Sequence, residues 1–256
     1  MLKQGTIGVV LLVWALSLST AHAYGVEAAL GGWQQNPSGD LAYKATNSND
    51  YLDVEDDLDY GDELRIHGRV KIDMPLFFPN IYLMGSPTEF DGTGEKDVAF
   101  SFGDEDFDAN IPFYSKLTFD QYDIALFYGL PFLRTATLDR LNVDIGLNVR
   151  IVDLEAEIRQ DASGLREDYS ETLAVPQIYL GAQLELLDWL TVEAEGRGIS
   201  ISDSSMYSVI GRLRFNMFGP AFVAAGYRYD KIDVDEDDLD AEFTLQGPFA
   251  EVGINF

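Results

Sequence analysis

Long stretches that alternate apolar and polar residues constrain this chain more than any other feature of its sequence. From Val143 to Ile151, apolar side chains occupy every second position, with polar residues or glycine between them. The segment from Tyr207 to Phe215 is built in the same way. With a period of two, the apolar residues lie on one face of a β-strand and the polar residues on the other, so the sequence predicts an all-β fold.

Ten such segments follow residue 24, and most are longer than the ~5–6 residues of an ordinary soluble strand. A strand that crosses a membrane needs about 9–11 residues. An even strand number is typical of single-chain bacterial barrels, and it puts both termini in the periplasm. The predicted strands are 25–34, 62–74, 80–90, 113–128, 141–159, 173–185, 190–199, 206–216, 221–233 and 241–256.

The connections alternate in length, which favours a membrane barrel over a soluble β-sandwich. The gaps 75–79, 186–189 and 217–220 are short, whereas 35–61 and 91–112 are long and polar. Short periplasmic turns opposite longer outer loops are the asymmetry of such barrels. We therefore expect a transmembrane antiparallel up-and-down β-barrel of about ten strands. Aromatic residues that predict an interfacial girdle at the short turns are Phe77, Phe78, Tyr128, Phe132, Trp189, Phe215 and Phe218.

The N-terminus predicts export from the cytoplasm. Lys3 precedes the apolar stretch 5–18, and Ala21-His-Ala23 is an A-x-A cleavage site, so residues 1–23 read as a signal peptide. A membrane anchor is the alternative, but the stretch is shorter than the ~20 residues that a helical span needs. Cleavage after Ala23 leaves 24–256 as the barrel.

Charge and composition exclude several classes of function. A formal net charge of -27 argues against nucleic-acid binding, because both surfaces are negative. The chain has no Cys, which excludes disulfides, thiolate metal sites and Cys nucleophiles.

Charged residues on the polar face of the strands predict a lumen filled with ion pairs rather than an open pore. In a narrow barrel these groups must pair or be hydrated to offset desolvation. The predicted lumen network is Arg65, Arg69, Lys71, Arg150, Glu193, Glu195, Arg197, Arg212, Arg214 and Glu251.

The pentapeptide Glu-Asp-Asp-Leu-Asp occurs twice, at 55–59 and 236–240, in the first and last outer loops. These loops are neighbours if the first and last strands pair. Carboxylate oxygens are ligands for Ca²⁺ or Mg²⁺, while a solvated acidic rim is the alternative. The candidate metal ligands are Glu55, Asp56, Asp57, Glu236, Asp237 and Asp238.

A catalytic role has one candidate residue, His67, which lies on the polar face between Arg65 and Arg69. A hydrolase would need a nucleophile and a carboxylate beside it, and the sequence has no G-x-S-x-G motif. A structural lumen residue is the favoured interpretation.

Several segments together resemble a family of Gram-negative outer-membrane β-barrel proteins of unassigned function. The segments are 24–33, 68–75, 79–84, 120–128, 226–229 and the terminal Phe256. The resemblance implies the bacterial outer membrane and brings no catalytic residues. The last strand is similar to the assembly signal of such barrels at Ile254 and Phe256, but it has Glu251 where that signal prefers Gly.

From these features we expect a non-enzymatic envelope protein that serves in surface interaction or envelope integrity, with no cofactor other than the candidate cations. A narrow transport pore is the alternative, and a lipid or peptide hydrolase is a third. The expected partners are outer-membrane lipid, lipopolysaccharide, the barrel-assembly machinery and periplasmic chaperones, with no nucleic acid.

Overall fold

The protein is represented by a computed structural model. The signal peptide predicted at 1–23 lies outside the described residues and stays a prediction. No helix in the described part of the chain is long and apolar enough to cross a membrane. The described residues are 25–75, 77–138, 140–202, 204–236 and 239–256.

Long antiparallel strands form a closed barrel with ten strand positions around the ring. We call each of these positions a stave. Each stave pairs with the next along the chain, and β14 pairs with β1 from Glu27↔Asn255 to Tyr43↔Leu239. β4 and β5 share one stave, because both pair with β8, while β2, β6 and β7 lie in the outer loops. The strands are β1 Gly25–Tyr43, β2 Leu52–Asp53, β3 Glu63–Asp73, β4 Asn80–Ser86, β5 Glu89–Gly94, β6 Phe100–Phe102, β7 Glu105–Phe107, β8 Phe113–Gly129, β9 Leu141–Gln160, β10 Leu165–Leu187, β11 Leu190–Ile201, β12 Ser204–Asn216, β13 Ala221–Glu236 and β14 Leu239–Asn255.

The predicted strand phase is confirmed, with apolar side chains outside and charged ones inside. Leu147 is 70% exposed, whereas Arg150 three residues later is fully buried in the lumen. Ile178 and Val209 are also exposed on the outer wall. Apolar exposure of this kind all around a barrel matches lipid rather than water. The soluble β-sandwich is therefore excluded.

Several strands continue well beyond their predicted outer ends. β1 ends at Tyr43 instead of 34, and β10 begins at Leu165 instead of 173. These extensions are polar, so their composition is that of a loop. Pairing along β1–β14 and β9–β10 satisfies the backbone groups and keeps them extended. The gap 129–140 also holds a short helix, α1, at Pro131–Ala136, which the alternation did not predict.

The first two long outer loops, 44–62 and 95–112, fold together as an outer cap. Their apolar residues are buried in one cluster with the outer half of the lumen, including Leu52, Leu58 and Phe107. The cap is thus a packed structure beneath its surface. Its exposed surface includes the acids Glu55 and Asp56, as a solvated acidic rim requires.

Candidate functional site: the barrel lumen

The polar lumen contains a lower network of charged side chains from opposite sides of the barrel. Lys71 on β3 lies 3.3 Å from Glu195 on β11, and these two staves are diametrically opposed in the ring. The Glu195 carboxylate also accepts hydrogen bonds from Arg212, at 2.7 Å, and Arg197, at 2.9 Å. One carboxylate therefore holds three cations in the centre of the lumen.

The same network continues toward β1 and β14. Arg69 bridges Glu27 and Glu251, with a distance of 3.0 Å to the latter. Arg214 lies 2.7 Å from Glu27 and 3.0 Å from Glu193. All members of the lower network are buried or nearly so, as the compensation of their charges requires. They are Glu27, His67, Arg69, Lys71, Glu193, Glu195, Arg197, Arg212, Arg214 and Glu251.

A second group, the upper cluster, lies above this network and consists of Asp123, Arg150, Arg228 and Asp230. Arg150 donates two hydrogen bonds to Asp123, at 2.9 and 3.0 Å, and Arg228 donates two to Asp230, at 3.0 and 2.6 Å. Such bidentate pairs are strong and fix geometry. Arg228 on β13 also donates to Gln121 on β8, which is the opposite stave. The upper cluster therefore crosses the lumen a second time.

Aromatic rings pack against cations in each of the two charged layers. The Arg197 guanidinium lies 4.9 Å from the ring centroid of Tyr82 and 5.3 Å from that of Tyr179. The Arg228 guanidinium lies 4.2 Å from the Trp33 ring. Contacts of this kind stabilise a desolvated cation.

The structure joins nine of the ten residues predicted for the lumen to one of these layers, and Arg65 is the exception. Arg65 lies near the outer end of β3, 3.7 Å from Glu63 and 3.9 Å from Glu89. Asp123 and Asp230 were not predicted, although both lie on the inward phase of their strands. The alternation alone signals that inward phase.

Below the lower network the barrel opens toward the periplasm in a polar vestibule. The space in the vestibule that the centre of a water molecule can occupy is about 460 Å³. Charged residues line it, among them Lys71, Asp73, Arg140 and Asp144. The vestibule ends at the lower network, whose members Glu27 and Arg214 form part of its wall.

Above the upper cluster the lumen becomes apolar. Inward positions on β8 change from Asp123 and Gln121 to Phe119 and Leu117 toward the outer end. An outer cavity lies here, and no polar atom lines it. Its wall consists of Leu41, Ala42, Tyr43, Phe102, Leu117, Phe119, Val152, Leu154, Ala156, Tyr169, Leu173, Met206, Ile232, Val234, Leu239, Ala241 and Phe243. The alternation of apolar and polar residues did not predict this cavity.

His67 takes part in the lower network. Its Nε2 atom lies 3.1 Å from Glu251 Oε1, and its ring packs edge-on against Phe249 at 5.5 Å. Flanked by Arg69, this histidine connects β3 to β14.

The candidate cation ligands are only partly visible in the structure. Asp237 and Asp238 lie outside the described residues, as does the side chain of Glu236. Asp57 is 2.7 Å from Lys96, which also donates to the Tyr51 carbonyl. The described residues contain no group of three or more potential ligands. A Ca²⁺ or Mg²⁺ site therefore stays a prediction.

The predicted adjacency of the first and last outer loops is confirmed. Asp40 on β1 stands opposite Asp53 on one side and Glu242 on the other. Partial burial, together with these negative neighbours, raises the pKa of the Asp40 carboxyl. The Tyr51 hydroxyl bonds Asp240 across the same junction.

The proposed assembly residues lie at the barrel seam. The Phe256 N–H donates to the Val26 carbonyl at 2.9 Å, and Val26 donates back at 3.0 Å. The Phe256 ring is 63% exposed on the outer wall, and Ile254 faces the same way.

Comparisons with solved structures give barrel proteins of Gram-negative outer membranes. The fold is similar to that of the outer membrane protease OmpT from Escherichia coli, at a TM-score of 0.56 and 10% identity over 93% of this chain and 99% of that chain. The translocator domain of autotransporter NalP from Neisseria meningitidis matches at a TM-score of 0.46 and 12% identity, over 98% of this chain and 95% of that chain. At 10% identity the likeness to OmpT shows the fold alone.

No protein-family model matches the sequence, and no curated protein matches it either. The fold is instead shown by the closed ring of strands, its apolar outer wall and the structural likeness to OmpT. Together they identify the chain as a ten-stranded β-barrel of the bacterial outer membrane.

Proposed function

We propose that this protein is a non-enzymatic barrel with a closed lumen, which acts at the cell surface or maintains the integrity of the envelope. The observation that carries the proposal is the pair of charged layers that cross the lumen, at Lys71–Glu195 and at Arg228–Gln121. A solute would have to break these buried contacts, and separating a buried ion pair costs several kcal/mol, about 3–5 when one partner is lost.

The outer cap is the surface offered to partners in this proposal. Its exposed acids, such as Glu55, Asp56 and Asp106, favour cationic partners or divalent ions. Divalent ions would bridge these acids to anionic lipopolysaccharide. For assembly we propose the usual partners of an exported barrel, the periplasmic chaperones and the barrel-assembly machinery.

A transport pore is the second candidate, because the vestibule of about 460 Å³ gives solutes access from the periplasm as far as the lower network. The hydrolase alternative rests on His67, whose described contacts are Glu251 and Phe249. These contacts support a role in connecting strands.

A deletion strain complemented with variants tests the proposed role. Wild-type protein should restore exclusion of a hydrophobic dye from the envelope, and so should His67→Gln. A variant with Glu55, Asp56 and Asp106 changed to Asn and Gln should restore it less well. Normal exclusion in the uncomplemented deletion strain would contradict a role in envelope integrity. Lipid or peptide hydrolysis by the pure protein that His67→Gln abolishes would establish the enzyme.

A further inference from the structure

The outer cavity lies beside a gap in the barrel wall. β10 pairs with β11 only from Ile178↔Gly198 onward to the periplasmic end. From Leu165 to Gln177, β10 pairs with β9 alone among the described strands. The β11–β12 hairpin ends already at Ile201 and Ser204. We call this gap, between the outer half of β10 and the end of β12, the notch.

The notch borders the outer cavity on the side of the missing pairing. Leu173 on β10 and Met206 on β12 both line the cavity, and β11, which lies between these strands, contributes nothing to the wall. Pro176 stands at the lower end of the unpaired stretch, where it has no N–H to leave without a partner. Proline is typical of a strand edge that stays unpaired.

The lower end of the notch meets the outer edge of the lipid-facing band. On the outer side of β10, Ile178, Pro176 and Ala174 are exposed and apolar, and Thr172 and Ser170 above them are polar. The stretch without a β11 partner therefore starts within the apolar band. A molecule that passes through the notch moves between the outer leaflet and the cavity.

The size and lining of the cavity define what fits. The space in the cavity that the centre of a water molecule can occupy is about 70 Å³. At 10–15 Å³ per water this is room for about five waters, or roughly 150 Å³ of liquid, a size that admits a six-carbon hydrocarbon. Water would find no hydrogen-bond partner on this wall, so an apolar occupant is favoured.

The cavity has a roof and a floor, which make it a blind pocket. On the outer side, the Tyr43 ring packs against the rings of Tyr169 and Phe102, with centroid distances of 4.7 Å and 5.6 Å. Within the wall, the ring centroids of Phe119 and Phe243 are 6.2 Å apart, and the polar upper cluster lies beneath the cavity. An occupant enters from the side and stops there.

From this geometry we infer that the outer cavity binds the end of an alkyl chain, about six carbons long, which enters through the notch from the outer leaflet. The chain end belongs either to a membrane lipid or to a free fatty acid, because both present the same methylenes. The inference is independent of whether the lumen conducts. It assigns to the outer half of the barrel a binding site for hydrocarbon.

Spin-labelled chains test the proposal in liposomes. A phospholipid and a free stearate, each with a nitroxide near the chain end, are compared by electron paramagnetic resonance. The wild type should show a strongly immobilised component for at least one of them, and that probe identifies the source. Ala156→Phe fills the cavity and should remove the component. Ala225→Phe makes the same change on the outer wall of β13, away from the notch, and should keep it.

A second measurement decides the matter if Ala156→Phe fails to fold. The chain has no Cys, so Met206→Cys introduces a single thiol on the cavity wall, and Tyr207→Cys places one on the outer wall. Dodecanoate should slow alkylation at position 206 at least several-fold and leave position 207 unchanged. Equal rates at position 206 with and without dodecanoate, or an immobilised component that survives Ala156→Phe, would overturn the proposal.

Discussion

Glu195 is the residue on which the lower network most depends. Its carboxylate contacts Lys71, Arg197 and Arg212, and all four side chains are buried. Glu195→Gln keeps the shape and leaves the cations without their counter-charge. Removing one partner of a buried ion pair costs about 3–5 kcal/mol, so we expect a loss of that size in a reversible urea titration in detergent.

The control for this variant is Glu185→Gln, the same change on an exposed carboxylate at the periplasmic end of β10. It should alter the free energy of unfolding by less than about 0.5 kcal/mol. Equal effects of the two substitutions would show that the lower network contributes no more than a surface charge.

Leu147 tests the lipid-facing wall at the same scale. It is 70% exposed near the middle of β9, so Leu147→Arg places a charge in the hydrocarbon at a cost of about 2–4 kcal/mol. Thr172→Arg on the adjacent strand is also outward, but it lies beyond the apolar band and should cost much less. Refolding titrations into lipid vesicles measure both, and similar losses would place the membrane boundary elsewhere.

At the scale of elements, the outer cap depends on a buried carboxylate. Burial alone would raise the pKa of Asp50, but hydrogen bonds from the backbone N–H groups of Ser101 and Thr46 and from the Thr46 hydroxyl outweigh it and lower that pKa. Ser101 belongs to the second loop of the cap. Asp50 therefore connects the two loops.

The lowered pKa fixes the direction of the pH dependence. A carboxyl with a depressed folded pKa contributes stability above its unfolded pKa of about 3.9 and loses it as the pH falls through the folded value. The protection of amides in 44–62, corrected for the intrinsic exchange rate at each pH, should therefore be insensitive to this group from pH 7 to 5 and fall in acid. Asp50→Asn should bring fast exchange at pH 7, whereas Asp56→Asn on the exposed surface should not. Slow exchange in Asp50→Asn would refute the connection.

The end of β14 carries a prediction about assembly. Deleting Phe256 removes two backbone hydrogen bonds to Val26 at the seam and one exposed ring. We expect less protein in the outer membrane and more protease-sensitive chain in the periplasm. Fractionation followed by proteolysis measures this, and an unchanged membrane fraction would assign the signal to other residues.

The strand phase was predictable from the sequence because each alternation assigns one face to lipid and one to the lumen. The ion pair of Arg150 with Asp123 was not predicted, because it depends on the register of the neighbouring strands β8 and β9. The outer cavity was hidden because Phe119 and Phe243 are apolar at inward positions, where the alternation predicts polar residues. The fold of the cap was not predicted, because its acidic composition resembles that of a solvated loop.

For the whole molecule, the distribution of charge separates the surface from the interior. The chain carries -27 overall, yet carboxylates and cations in the two lumen layers are nearly matched in number. The excess negative charge therefore lies largely outside the lumen, at the outer surface. A neutralised lumen, crossed by the Lys71–Glu195 ion pair and by the Arg228–Gln121 hydrogen bond, favours a closed barrel over an ion-selective pore.

Single-channel recording in planar bilayers tests the closed lumen most directly. The wild type should insert without stable conductance steps. The combined variant Lys71→Ala, Arg212→Ala and Arg228→Ala removes the two cations that reach across the lumen and a third that binds Glu195, and it should conduct. Stable, reproducible conductance steps from the wild-type barrel would contradict the account.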